Sequence, residues 1–297
     1  MQKDRILYID RLRGVNIFLV VLGHVLTNNV VDGEYSGIYV WGSTFRMPLF
    51  MFLCGYIANK VIKPKIFDNY TSFILKKFRT LLIPFFAWSL IASKFFFTNS
   101  KEYNLLETFN ALINGGGLWF LLHLFYITIL YTIWLFVSVK INPKENFWID
   151  SILMIIVSLV LATLFYFKIS PIVKPLLIFY LFYFVGVLVS KYDFFTSVLM
   201  KRETFTVGLL LFMILVGHYN YGDSSYLNLL IKYTCALSAI GVFYFFIRNI
   251  NWNSTIDNNI RFWGVNSLII YVTHFHIVNI FSQPFISNHI NQIPLLV

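Results

Sequence analysis

The stretch Arg11-Leu12-Arg13-Gly14-Val15-Asn16-Ile17-Phe18-Leu19-Val20-Val21-Leu22-Gly23-His24-Val25-Leu26-Thr27 decides what kind of protein this is. It opens an apolar segment, 14–31, bounded by Arg13 and Asp32. Crossing a bilayer core of roughly 30 Å takes about 20 such residues as helix. No small-x-small cleavage signal follows at 27–32, so the segment reads as an uncleaved first span and not as a secretory leader. Further runs of the same kind follow at 40–60, 80–98, 118–138, 147–168, 172–190, 204–219, 226–247 and 262–283. The 297 residues are 58% hydrophobic and 12% charged, where a soluble domain carries about 25% charged residues. Disordered, collagen-like, coiled-coil and disulfide-stapled classes are excluded together; Cys54 and Cys235 both sit inside apolar runs. The expected fold is all-α: a polytopic membrane helical bundle of about nine to ten transmembrane helices. A single membrane-embedded domain over 5–283 is expected, with a short tail over 284–297 and no internal repeat.

The net charge of +10 invites a nucleic-acid reading, but its arrangement along the chain argues for topology. With the N-terminus in the cytoplasm, most Lys and Arg fall in alternate loops: Arg5, Arg11 and Arg13, then Lys60 to Arg79, then Lys140 and Lys144, then Lys191, Lys201 and Arg202, then Arg248 and Arg261. Lys101, Lys168 and Lys174 fall in external loops. This is the positive-inside pattern of a multi-pass protein of the cell membrane. No nucleic-acid partner is expected, and the bilayer is the first partner.

An ionisable residue inside a span costs a few kcal/mol and calls for a reason. Arg13 and His24 are eleven residues apart, about 20° past three full turns, and separated by roughly 16 Å of rise, so they share one stripe of a helix. Arg13 then sits at the cytoplasmic mouth and His24 near the midplane, with Asn16 flanking the stripe. A guanidinium there suits an anionic group, and a midplane imidazole suits proton transfer. A snorkelling arginine and a structural histidine are the plainer alternative. Lys76 and Arg79, three apart, could hold phosphates or serve as ordinary membrane anchors. Arg46 precedes Pro48, which removes a backbone donor. It either lines a cavity or bonds a freed carbonyl. Trp119 and His123 share a face; Trp119 either stacks on a sugar or anchors at the interface. His274 and His276 point to different faces, and no recognisable metal motif is present, so no metal is expected.

These residues carry a resemblance. Asp10-Arg11-Leu12-Arg13-Gly14, continuing to Gly23-His24, resembles the opening of the membrane-bound acyltransferase family 3, with a basic residue, ten others and a histidine. Phe45-Arg46-Met47-Pro48-Leu49-Phe50-Met51-Phe52-Leu53-Cys54-Gly55-Tyr56 is similar to its second helix, above all in the branch related to fucose 4-O-acetylases. Lys76-Lys77-Phe78-Arg79 resembles its R-x-x-R element, with a lysine that keeps the charge and loses a bidentate fork. Leu118-Trp119-Phe120-Leu121 and Gly264-Val265-Asn266-Ser267-Leu268-Ile269-Ile270-Tyr271-Val272-Thr273-His274 are similar to two later elements. The family typically has ten spans with both termini inside; nine are read here.

The resemblance implies O-acyl transfer, with acetyl the usual group, from an acyl-CoA co-substrate to a hydroxyl of a surface glycan or lipid-linked sugar. No permanently bound cofactor is expected. It implies His24 as the catalytic histidine and Arg13 as its basic partner, with Lys76 and Arg79 at the acyl-CoA site. Arg46, Trp119 and His123 are the weaker candidates for the cavity of the carbohydrate acceptor. His24 could act as general base or carry the acyl group itself. The rival reading is a transporter or flippase for a glycan or lipid-linked sugar. Against it, the candidate chemistry lies in the first 80 residues, with no matching pattern in the second half. A non-catalytic membrane partner is the third reading.

Overall fold

The computed structural model describes residues 6–30, 33, 36–62, 70–91, 105–114, 116–220, 222–223 and 225–281. Among them all regular structure is helical, because within a membrane each backbone donor must find its acceptor in its own segment. In chain order the helices are α1 (Leu7–Asn29), α2 (Gly37–Ile57), α3 (Tyr70–Lys77), α4 (Ile83–Ile91), α5 (Leu105–Ile113), α6 (Trp119–Ile141), α7 (Phe147–Tyr166), α8 (Val173–Lys191), α9 (Asp193–Leu199), α10 (Arg202–Val216), α11 (Tyr226–Asn249), α12 (Ser254–Val265) and α13 (Ser267–Phe281). A π-helical turn, Ala58–Ile62, continues α2, and another, Phe78–Leu82, joins α3 to α4. Four helices, α6, α7, α8 and α11, are long and apolar enough to cross a membrane by length and composition alone. The chain is an all-α helical membrane bundle.

Side-chain caps mark where helices begin after polar turns. Asn146 accepts from the Trp148 amide ahead of α7, Ser225 from Asn228 ahead of α11, and Asn253 from Thr255 ahead of α12. One sequence expectation needs correction. The run 262–283 is not one span: α12 ends at Val265, Asn266 takes a non-helical conformation, and α13 starts at Ser267. The reason is compositional, since α12 carries Asp257 and Arg261 and is amphipathic, while α13 is mostly apolar and carries no Asp, Glu, Lys or Arg. Residues 92–98 of the third run and 282–283 of the last lie outside the described residues, as do the tail 284–297, Lys94 and Lys101.

The chain divides into two compact units. The first comprises residues 1–53 and 194–297. Its axis is α1, which α11, α12 and α13 embrace. α1 and α12 cross backbone to backbone: a Cβ on Gly14 would strike the Ile260 carbonyl, and one on Gly264 the Asp10 carbonyl. Arg11 pins this crossing, donating to Asp257 from Nε at 2.6 Å and from Nη2 at 3.0 Å. Arg261 adds a second cation 3.3 Å from the same carboxylate. Asp257, in α12, is consequently held below the usual carboxylate range, chiefly by its bond to Arg11. On the other side, Phe45 of α2 meets Phe243 of α11 at 4.9 Å and Phe212 of α10 at 5.8 Å, so aromatic faces take the place of any hydrophobic drive that lipid would remove.

The second unit comprises residues 54–193. Its α6, α7 and α8 close around a carboxylate with no solvent exposure, Asp150. Ser138 and Asn142 donate to one of its oxygens at 2.7 and 3.0 Å, Lys191 and Tyr192 to the other at 2.6 Å each. A buried ion pair holds only when its remaining lone pairs are satisfied in this way. Further along, Tyr131, Trp134, Tyr183 and Phe184 pack ring on ring, and Gly55 lets the Tyr183 backbone approach within van der Waals reach.

Candidate active site

Helix α1 is unbroken from Leu7 to Asn29, so Arg13 and His24 do project from one continuous helix. What they face is α13 and its approach. Arg13 Nη2 donates to Ser267 Oγ at 2.9 Å, at the first turn of α13. Eleven residues further on, the His24 ring lies with its centre 5.0 Å from that of His274, tilted by 42°. The two contacts occur in the same order along both helices, so α1 and α13 run in the same direction.

Gly264, Ser267 and His274 thus meet α1 one after another. Gly264 abuts the Asp10 backbone, Ser267 holds Arg13, and His274 meets His24. Tyr271 contributes a carbonyl that lies 2.6 Å from His274 Nδ1, and its ring stands 5.6 Å from the histidine. His274 is buried and His24 half-buried. Ser267 entered the sequence reading only within the late motif, and His274 there and as an intramembrane histidine; neither was assigned to the site. The signal available for both was the spacing of polar side chains in an apolar helix.

Arg46 reaches the same stripe from α2. Its guanidinium lies over the Tyr39 ring at 4.7 Å and so close to α1 that a Cβ on Gly23 would overlap it. It is 8% exposed and within electrostatic reach of His24. Asn16, fully buried, donates to the Arg46 carbonyl at 2.7 Å and so ties the backbone of α2, just ahead of Pro48, to α1. The amide oxygen of Asn16 meets no donor among the described residues. Buried polar atoms of this kind are rare and concentrate where a water or ligand completes them. The first unit therefore gathers Arg13, Asn16, His24, Arg46, Ser267 and His274 along one face of α1.

The remaining candidates belong to the second unit. Lys76, in the last turn of α3, and Arg79, in the π-helical turn, are exposed, and Thr80 Oγ caps the Lys76 carbonyl at 2.9 Å. Lys77 between them is half-buried with its ammonium over the Phe73 ring at 5.7 Å. The π turn interrupts the α-helical register that a spacing of three assumes. Trp119 opens α6 and stacks on Phe179 at 5.2 Å, with the His123 ring at its edge. His123 Nδ1 bonds the Trp119 carbonyl at 2.6 Å and the residue is 1% exposed. Among the described residues no three His, Cys, Asp or Glu side chains gather as a metal would need.

One of the comparisons with known proteins identifies a family. No curated protein and no solved structure matches the chain at a significant level. The family model of the acyltransferase domain called acyltransferase 3 matches residues 6–297, a stretch that includes both the α1 stripe and the α13 residues lying on it. This chain belongs to the acyltransferase 3 family of membrane acyltransferases.

Proposed function

We propose that the protein is an integral-membrane O-acyltransferase that moves an acyl group, acetyl by preference, from acyl-CoA to a hydroxyl of a surface glycan or lipid-linked sugar. In this reading it is a multi-pass protein of the cell membrane with a cytoplasmic N-terminus, close to the branch of fucose 4-O-acetylases. The observation that carries the reading is the half-buried His24 seated against buried His274, on the same helix face where Ser267 holds Arg13. Acyl transfer from a thioester needs a group that removes the proton of an attacking hydroxyl. An imidazole is suited to this near neutral pH and contributes about 10²–10⁴-fold.

As general base, His24 takes the hydroxyl proton while the acyl–oxygen bond forms and the acyl–sulfur bond breaks. The proton then leaves on the sulfur of CoA. As acyl carrier, His24 would attack the thioester first and pass the group on. Arg46, a cation beside His24, suits the negative charge that develops on the carbonyl oxygen. Arg13 supports the stripe from its charged end. Lys76 and Arg79 take the CoA phosphates, for which exposed cations are well matched. Trp119 and His123 serve the carbohydrate acceptor.

The test is the O-acetyl content of the host's surface glycan, measured by proton NMR in cells with wild type, His24→Ala or no protein. Acetyl signal is expected with wild type alone. An unchanged acetyl pattern in all three, with altered glycan export, would replace the enzyme with a transporter. For the donor, loss of CoA affinity in Lys76→Ala/Arg79→Ala is expected, and unchanged affinity removes that assignment.

A further inference from the structure

The backbone already dictates which nitrogen of His274 carries its proton. Nδ1 stands 2.6 Å from the Tyr271 carbonyl. A carbonyl oxygen only accepts, so Nδ1 is the donor and, in a neutral ring, Nε2 carries the lone pair. His274 is buried at 2% exposure and its ring centre is 5.0 Å from that of His24. An imidazole nitrogen lies roughly 1.1 Å from its ring centre, so a nitrogen-to-nitrogen hydrogen bond of about 2.9 Å places two ring centres about 5 Å apart. The separation of the two ring centres matches that of such a bond.

We propose that His274 is a positioning residue for His24: its Nε2 accepts from an N–H of His24 and holds His24 in the tautomer whose other nitrogen presents a bare lone pair. This deepens the acyltransferase reading and rests on it. Setting the tautomer of a reacting histidine through an acceptor on its far nitrogen is worth orders of magnitude in other hydrolytic and transfer sites. Here the acceptor is a neutral ring, which suits a place where the Arg46 cation already stands beside His24 and a buried carboxylate would be drawn into an ion pair. When the acceptor hydroxyl yields its proton to the bare nitrogen, the acyl–oxygen bond forms and the acyl–sulfur bond breaks. The imidazolium so formed keeps its other N–H on His274 until the thiolate takes a proton. If His24 carries the acyl group, the bare nitrogen attacks the thioester and CoA leaves with the proton from the far nitrogen. The hydroxyl later returns one to His24. Both routes need the same tautomer.

The experiment has two arms. In the first, membrane vesicles from the host are given acetyl-CoA labelled in the acetyl group, and the initial rate of label entering glycan is measured. His274→Phe keeps a ring without nitrogens and is expected to lose about 10²-fold. His274→Gln restores an acceptor near the Nε2 position and is expected to stay within about tenfold of wild type. In the second, nitrogen-15 NMR of histidine-labelled protein in detergent reads the His24 tautomer without any substrate. A single tautomer in wild type and a mixture in His274→Phe are expected. A His274→Phe rate within threefold of wild type, while His24→Ala abolishes transfer, overturns the inference and leaves the enzyme standing. Equal loss in both His274 variants, with chains that melt as wild type and an unchanged His24 tautomer, overturns it too. Absence of label from wild-type vesicles counts against the acyltransferase reading itself, and the NMR arm still decides the positioning role.

Discussion

Two polar sites in this bundle are built on opposite principles. Around Asp150 every oxygen is used: Ser138, Asn142, Lys191 and Tyr192 converge on a carboxylate with no solvent exposure. Along α1 the polar groups are spread over about three turns, and the histidine that could react is half-buried, facing another imidazole and within reach of a cation. A saturated buried network has no valence left for a substrate, and its worth is in joining α6, α7 and α8. The α1 stripe is held by single bonds, Arg13 to Ser267 and Asn16 to Arg46, and leaves the Asn16 amide oxygen without a donor among the described residues.

The comparison breaks if the two sites respond alike to mutation. The largest effect expected is on transfer: His24→Ala should lower O-acyl incorporation by at least about 10²–10⁴-fold, with the melting curve in detergent little changed. Asp150→Ala should do the reverse. It leaves the Lys191 ammonium, which is 6% exposed, with Glu145 at 3.9 Å as its remaining carboxylate, and should cost about 3–5 kcal/mol of stability with normal transfer per folded molecule; a denaturation series reads it. Gly23→Ala places a methyl where the Arg46 guanidinium lies. Overpacking of that kind costs about 1–3 kcal/mol, and because it displaces a group of the stripe, transfer should fall along with stability.

The smallest effect concerns the α1–α12 crossing. The carboxyl of Asp257 titrates below its ordinary value of 3.8 when folded, so its stabilisation is present above that value and is lost as pH falls through the lower folded one. The pair is partly exposed, with side-chain exposures of 20% and 16%, and its contribution should be about 0.5–1 kcal/mol. Wild type should therefore melt higher than Asp257→Asn at pH 7, and the two should converge as pH is taken below 3.8. A gap that persists at the lowest pH would show that the asparagine perturbs packing and not charge.

Much of the helical architecture was legible because apolar length is a local property. The runs at 118–138, 147–168, 172–190 and 226–247 each became a helix long enough to span. Local reading failed where polarity changes within a run. Residues 262–265 look apolar in sequence yet finish an amphipathic helix whose Asp257 answers Arg11, a partner 246 residues away that no window could include. The π turn at Phe78–Leu82 was invisible for a similar reason, since no residue type announces it.

The sequence by itself determined the class of the protein, the helical spacing that places Arg13 and His24 on one stripe, and the scarcity of intramembrane charge that makes each such residue conspicuous. Helical periodicity and the cost of burying polar atoms in lipid are enough for that. Only the tertiary structure decided that Ser267 is the partner of Arg13, that His274 meets His24, and that Gly23 makes room for Arg46. Those facts depend on which helices become neighbours. In a bilayer that choice is made by close packing and by polar groups seeking partners across the bundle, a contest settled among residues as far as 254 positions apart.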